Sequence, residues 1–178
     1  MDGLILKVIT WAEDSNMLRG SDLKTEVLKL TAEYGELISC LNQNGDCRDG
    51  IGKCVIQMVI ICRMRNINLN DCVINAEAIT DKRIVNRRFV MMTATQYLGG
   101  LNRNILMRED IKANMGYLFI YLAALARVFN YSVLDCLEVA YNNLLEKKGI
   151  MFDGSFIEET DEKYQTAVSI LKSKKTDD

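Results

Sequence analysis

The sequence predicts an all-α protein, a helical bundle built from two related halves packed with pseudo-twofold symmetry. Three observations carry this. Apolar residues recur at steps of three and four along most of the chain, while alternating strand patterns are scarce. Among 178 residues there is no proline to interrupt a helix. And the chain matches itself when slid by 64 residues.

The elements follow in order. In "LILKVITWAED", Leu4, Val8 and Trp11, with Ile5 and Ile9 beside them, form one helical face. "SDLKTEVLKLTAEYGELISCL" sets Leu23, Val27, Leu30, Tyr34, Leu37 and Leu41 on a second. Further helices are predicted over Ile51–Arg65, Leu69–Arg83, Arg88–Asn102, Glu109–Phe129 and Ser132–Lys148. Ser132 with Asp135 has the pattern of a capped helix start. Gly149 suits the stop of that helix. "DEKYQTAVSILKSKK" reads as a terminal amphipathic helix, and the closing "KSKKTDD" as a frayed tail. The run "DGIGKCVIQMVIICR", Asp49 to Arg63, stands out: it is apolar after Lys53 except at Gln57.

The repeat lays Thr31–Ala76 on Thr95–Ala140 without a gap, and eleven of the 46 pairs are identical. They include Gly35/Gly99, Gly52/Gly116, Arg63/Arg127, Asn66/Asn130, Asp71/Asp135 and Cys72/Cys136. Amphipathicity alone does not demand shared glycines or a shared Asp-Cys pair. A three-helix copy closes a core poorly alone, so the reading is one body of two copies, 1–86 and 87–161, with a terminal helix and tail at 162–178.

Composition removes several functions. There is no histidine, so histidine bases and histidine metal ligands are excluded. Net charge is −2 with a pI near 5.3, which argues against a nucleic-acid partner. The six cysteines form no C-x-x-C pair and read as buried reduced thiols, in keeping with a cytoplasmic location. The longest apolar runs, "CVIQMVIIC" and "MGYLFIYLAALA", fall short of the roughly 20 residues of a spanning helix and end at Arg63 and Arg127, so no membrane role is expected.

Four segments carry a family likeness. "VITWAEDSNML" is similar to a V-x-x-W-x-x-D-R-x-L opening, and "KLTAEYGELISCL" to a K-L-x-E-E-x-G-E-L helix. "DGIGKCVIQMVIICRMRNINLNDCV" is similar to a D-x-I-G-D-x-x-V-x-L helix with its turn, and "AYNNLLEKKGIMFDGSFIEE" to an A-Y-N-E-I-K-D-R-K-G-x-M-x-D-G-x-F-x-K-E close. In this order and spacing the chain resembles the MazG-like all-α nucleoside triphosphate pyrophosphohydrolases, especially small phage-encoded forms. That resemblance implies a magnesium site. An E-E-x-x-E cluster and an E-x-x-D pair on facing helices hold the ion, which bridges the phosphates and activates water.

Carried over residue by residue, the set is depleted. The first cluster falls on Ala32, Glu33 and Glu36, keeping two acids; the second falls on Gly50 and Lys53, keeping none. In the second copy the matching positions are Tyr97, Gly100, Asn114 and Tyr117. Lys53 therefore stands where a magnesium ligand belongs, and is expected to take the cation's place by pairing with Glu33 and Glu36. Asp46 and Asp49 stand as substitute ligands or, the preferred reading, as capping or solvated acids. Lys147, Lys148, Lys82 and Arg83 are candidate phosphate contacts, or simply basic residues near helix C-termini. No residue is assigned a catalytic role and no cofactor is expected, with magnesium the cofactor if the chain is active.

The expected function is that of a catalytically degenerate, phage-type relative. It binds a nucleotide or a host protein, in host takeover or counter-defence, inside the host cytoplasm. A homodimer is a further expected partnership. The alternatives are a weak magnesium-dependent pyrophosphohydrolase and a purely structural helical protein.

Overall fold

Side-chain caps set where the long helices begin. Asp22 accepts hydrogen bonds from the backbone N–H groups of Lys24 (2.8 Å) and Thr25 (3.1 Å), and helix α3 starts there. Asn86 accepts from Phe89 N–H at 3.1 Å at the start of α6. Ser132 and Asp135 form a reciprocal capping box at the start of α8. The computed structural model describes residues 1–74 and 82–176.

Those residues are mostly helical. In order they form α1 (Asp2–Asp14), α2 (Met17–Gly20), α3 (Leu23–Asn42), α4 (Arg48–Met64), α5 (Leu69–Ile74) and a short 3-10 helix (Lys82–Val85). Then come α6 (Arg87–Met107), α7 (Lys112–Val128), α8 (Val133–Glu146), strands β1 (Gly149–Phe152) and β2 (Ser155–Glu158), and α9 (Tyr164–Thr176).

Several expected limits move. The first helix ends at Asp14 as expected, starting two residues earlier at Asp2, and Asn16, with a left-handed φ of 56°, leads into α2. Of the helix expected over Leu69–Arg83, Leu69–Ile74 is α5, residues 75–81 lie outside the described residues, and Lys82 and Arg83 fall in the 3-10 helix. α7 starts at Lys112, because Asp110 caps the Lys112 N–H at 3.1 Å.

The closing segment is the clearest departure from an all-helical chain. β1 and β2 pair antiparallel, with Phe152 opposite Ser155 across a two-residue turn, Asp153-Gly154, whose φ values are 50° and 76°. That is the Asp-Gly signature of a tight hairpin. Gly149 is thus not a helix stop. It lies in β1 where a Cβ would sit 2.4 Å from the Ile157 carbonyl oxygen. The hairpin docks on the α1–α3 segment: Met151 N–H donates to Ser15 O (2.7 Å), Gly154 N–H to Gly20 O (2.7 Å), and the Asn16 amide to Met151 O (2.8 Å).

Element limits recur at the 64-residue offset. α3 and α6 start at Leu23 and Arg87, α4 and α7 span Arg48–Met64 and Lys112–Val128, and α5 and α8 start at Leu69 and Val133. The turns recur too: Asn44 and Arg108, then Asn66 and Asn130, are left-handed at matching places. Packing is crossed. α3 lies on α4 and α6 on α7, but α4 packs most extensively on α8, and α5 packs chiefly on α7.

The core centres on α4, where every residue from Cys54 to Cys62 is buried, so the helix is enclosed on all sides. Gln57, the polar break in that run, has a purpose. Its amide nitrogen donates to the carboxylate of Glu26, which is fully buried, and to the Glu26 carbonyl oxygen at 3.2 Å. Lys29 Nζ lies 2.8 Å from the same carboxylate. A buried acid is thus hydrogen-bonded and paired, as its desolvation requires.

Candidate functional site

α3, α4 and α8 bring one polar cluster together. Glu33 and Glu36 lie one turn apart on α3, Asp49 and Lys53 one turn apart on α4, and Asn143 and Lys147 near the end of α8. The α3–α4 approach is close because position 50 is glycine: a Cβ there would lie 3.2 Å from Leu37 Cδ1. The α4–α8 approach is closer still. A Cβ on Gly52 would lie 2.1 Å from the Cys136 carbonyl oxygen and 2.6 Å from Ala140 Cβ.

Within the cluster, Lys53 Nζ sits 3.2 Å from Asp49 Oδ2 and 3.9 Å from Glu33 Oε2. Asn143 donates to Asp49 Oδ1 at 2.9 Å. The partners differ from the expected pair. Asp49 is the near partner, while Glu36 is exposed and acts on Lys53 only through space. Asp49 lies within α4 and faces the cluster, whereas Asp46 turns away to pair with Arg48 at 2.5 Å. One helical turn after Asp49 comes Lys53, so a charge ladder along the helix selects Asp49 over Asp46.

The electrostatics follow from geometry. Glu33 is half-buried, and its Oε2 makes no hydrogen bond. Burial pushes its carboxyl above the ordinary range; Lys53 opposes this, and Glu36 and Asp49 add to it. Lys53 loses some hydration, but the hydrogen bond and charge of Asp49 and the charge of Glu33 outweigh that and raise its ammonium.

Lys147 is exposed and close enough to oppose the rise at Glu33. Lys148 is also exposed and follows it into β1. Ala32 is exposed on α3. Lys82 and Arg83 belong to another part of the molecule: their 3-10 helix packs on α6 and α7, and the Arg83 guanidinium lies 4.2 Å over the Phe89 ring. Among the described residues no group of three or more Cys, Asp or Glu is arranged to hold a metal ion.

Sixty-four residues further on, α6 and α7 set rings at the corresponding positions. Tyr97 and Tyr117, at the positions of Glu33 and Lys53, stack with centroids 4.7 Å apart at 16°. Tyr121 extends the stack 5.7 Å from Tyr97. Gly100 lies against Asn114, its Cβ position 2.7 Å from Asn114 Oδ1. The same face that holds charge in α3–α4 holds aromatic packing in α6–α7.

No single helix among the described residues is long and apolar enough to cross a membrane. No protein-family model matches the chain, and no solved structure matches it. The chain is similar to the "Uncharacterized 18.2 kDa protein in rep-hol intergenic region" of Haemophilus phage HP1, with 27% identity over 161 residues, covering 77% of this chain and 95% of the phage protein.

Proposed function

We propose that this chain is a doubled MazG-like body that has exchanged a divalent-cation site for a fixed ammonium group, and that it acts by binding a host protein as a phage-type factor in host takeover or counter-defence. The observation that carries this reading is the placement of Lys53 Nζ between Asp49 and Glu33, 3.2 Å and 3.9 Å away. An ammonium there pairs closely with Asp49, lies at the edge of ion-pair distance from Glu33, and repels a magnesium ion from the same space. The crossed helix packing at a constant 64-residue offset supports the doubling.

A protein partner is favoured over a nucleotide on two grounds. Glu33, Glu36 and Asp49 outnumber Lys53 and Lys147, so a polyanionic triphosphate meets a net negative cluster unless a metal accompanies it. In addition, α6 leaves the apolar side chains Met92, Leu106 and Met107 exposed, at 64%, 61% and 64%, which a protein surface can cover and a triphosphate cannot use.

A magnesium-dependent pyrophosphohydrolase is the second reading, favoured by Asp49, which adds a third carboxylate to Glu33 and Glu36. A pyrophosphate-release assay with magnesium, across the common ribo- and deoxyribonucleoside triphosphates, separates the two. Binding without hydrolysis predicts no release above the buffer rate; sustained, magnesium-dependent release establishes the second reading instead.

A further inference from the structure

The turn joining α3 to α4 holds two thiols face to face. Cys40 lies in the last turn of α3 and Cys47 at the cap position of α4, with their Sγ atoms 3.5 Å apart. The turn is folded around them. The Cys40 thiol donates to Asp46 O at 3.4 Å and the Cys47 thiol to Gly45 O at 3.2 Å. Gly45 presses so close that a Cβ there would lie 2.8 Å from Cys40 Sγ. A disulfide needs about 2.05 Å between sulfurs, an approach within reach of side-chain rotation.

Access distinguishes the pair from the other thiols. Cys40 is half-buried; Cys47, Cys54, Cys62, Cys72 and Cys136 are all buried. Cys62 and Cys72 are at 1% and 0% exposure, so neither meets a solute, and the Cys72 thiol donates to Asn68 O at 3.7 Å. An oxidant in solution therefore reaches Cys40 first.

We propose that Cys40 and Cys47 are an oxidisable dithiol, which hydrogen peroxide converts to a disulfide that closes the α3–α4 turn. The Cys40 thiolate attacks one peroxide oxygen; an S–O bond forms, the O–O bond breaks, and the departing hydroxide leaves as water after taking a proton. Cys47 then attacks the Cys40 sulfur; the S–S bond forms, the S–O bond breaks, and the oxygen departs as a second water carrying the Cys47 proton. Two thiols are oxidised and one peroxide is reduced to two waters. Burial and the neighbouring Cys40 push the Cys47 thiol up to about 12, so Cys47 rests protonated and must give up its proton as it attacks, which makes resolution the slower step. The closed bridge ties the helix of Glu33 and Glu36 to the helix of Asp49 and Lys53.

Cys40 and Cys47 both lie between Lys29 and Arg48, so one tryptic peptide, residues 30–48, carries both. The test treats the full chain with hydrogen peroxide, then denatures, alkylates and digests it for mass spectrometry. The expected result is that this peptide loses two hydrogens and resists alkylation until reduced, while Cys54, Cys62, Cys72 and Cys136 remain alkylatable. Cys47→Ser should stop at a Cys40 sulfenic acid captured by a cyclic 1,3-dione, and Cys40→Ser should leave Cys47 alkylatable. The proposal is overturned if the wild-type peptide keeps two free thiols, if Cys40 passes to sulfinic acid as readily as in Cys47→Ser, or if Cys62 and Cys72 cross-link first.

Discussion

At the residue scale the account turns on how few groups decide what the cluster holds. Glu33 titrates above the ordinary carboxylate range because it is half-buried. A carboxyl raised on folding binds its proton more tightly in the native state, so its contribution to stability is greatest at low pH and falls as pH rises through its unfolded value of 4.5 toward its folded value. Glu33→Gln removes that dependence. Urea unfolding of both proteins between pH 4 and pH 7 should therefore show the wild type losing stability relative to Glu33→Gln as pH rises; parallel curves would exclude the shift. The residues of this cluster were legible in part. Spacing put Glu33 and Glu36 on one face, and the family resemblance marked Lys53 as out of place. The nearer partner, Asp49, was not legible, because a carboxylate at a helix start reads equally as a cap until the neighbouring helix is in position. Gln57 and Glu26 were missed for a related reason: a lone polar residue in an apolar run signals a buried partner but does not name it.

At the element scale, glycines set how closely the helices approach. Gly52 lets α4 lie directly on the backbone of α8, and Gly52→Ala would drive a methyl group into the Cys136 carbonyl. It should cost about 3 kcal/mol of unfolding free energy by overpacking. Gly35, by contrast, has nothing within 4 Å of its Cβ position. Gly35→Ala should stabilise by about 1 kcal/mol through helix propensity. Opposite signs in chemical denaturation check the packing; equal effects would contradict it. Nothing in the structure explains why Gly35 and Gly99 recur. The helices were readable because their apolar stripes have the helical period. The hairpin was not, since four-residue strands are too short to show alternation, and its one local sign, Asp153-Gly154, sits inside a segment whose flanks continue from α8. The 3-10 helix at Lys82–Val85 could not be read either, because no proline or glycine sets it apart from the helix expected through Arg83.

At the scale of the whole molecule, the first and second halves of the chain depend on each other. The buried α4 is covered chiefly by α8, and α5 lies mainly on α7. A chain ending at residue 86 leaves α4 uncovered, and should show no cooperative unfolding transition by circular dichroism; a cooperative fragment would mean that the first half closes its own core. The internal repeat was visible in the sequence, but the crossing of partners was not, because a 64-residue offset fixes which elements correspond and not which of them touch. The central claim, that an ammonium group has replaced a magnesium ion, is tested most directly by calorimetric titration of magnesium into the wild type and into the double variant Gly50→Glu, Lys53→Asp. A Cβ at position 50 would have Leu37 Cδ1, Cβ and Cα as its nearest neighbours at 3.2–3.5 Å, so Leu37 must give by a few tenths of an ångström. The account predicts no binding heat for the wild type and a saturable heat for the double variant. Saturable magnesium binding by the unaltered chain would contradict it.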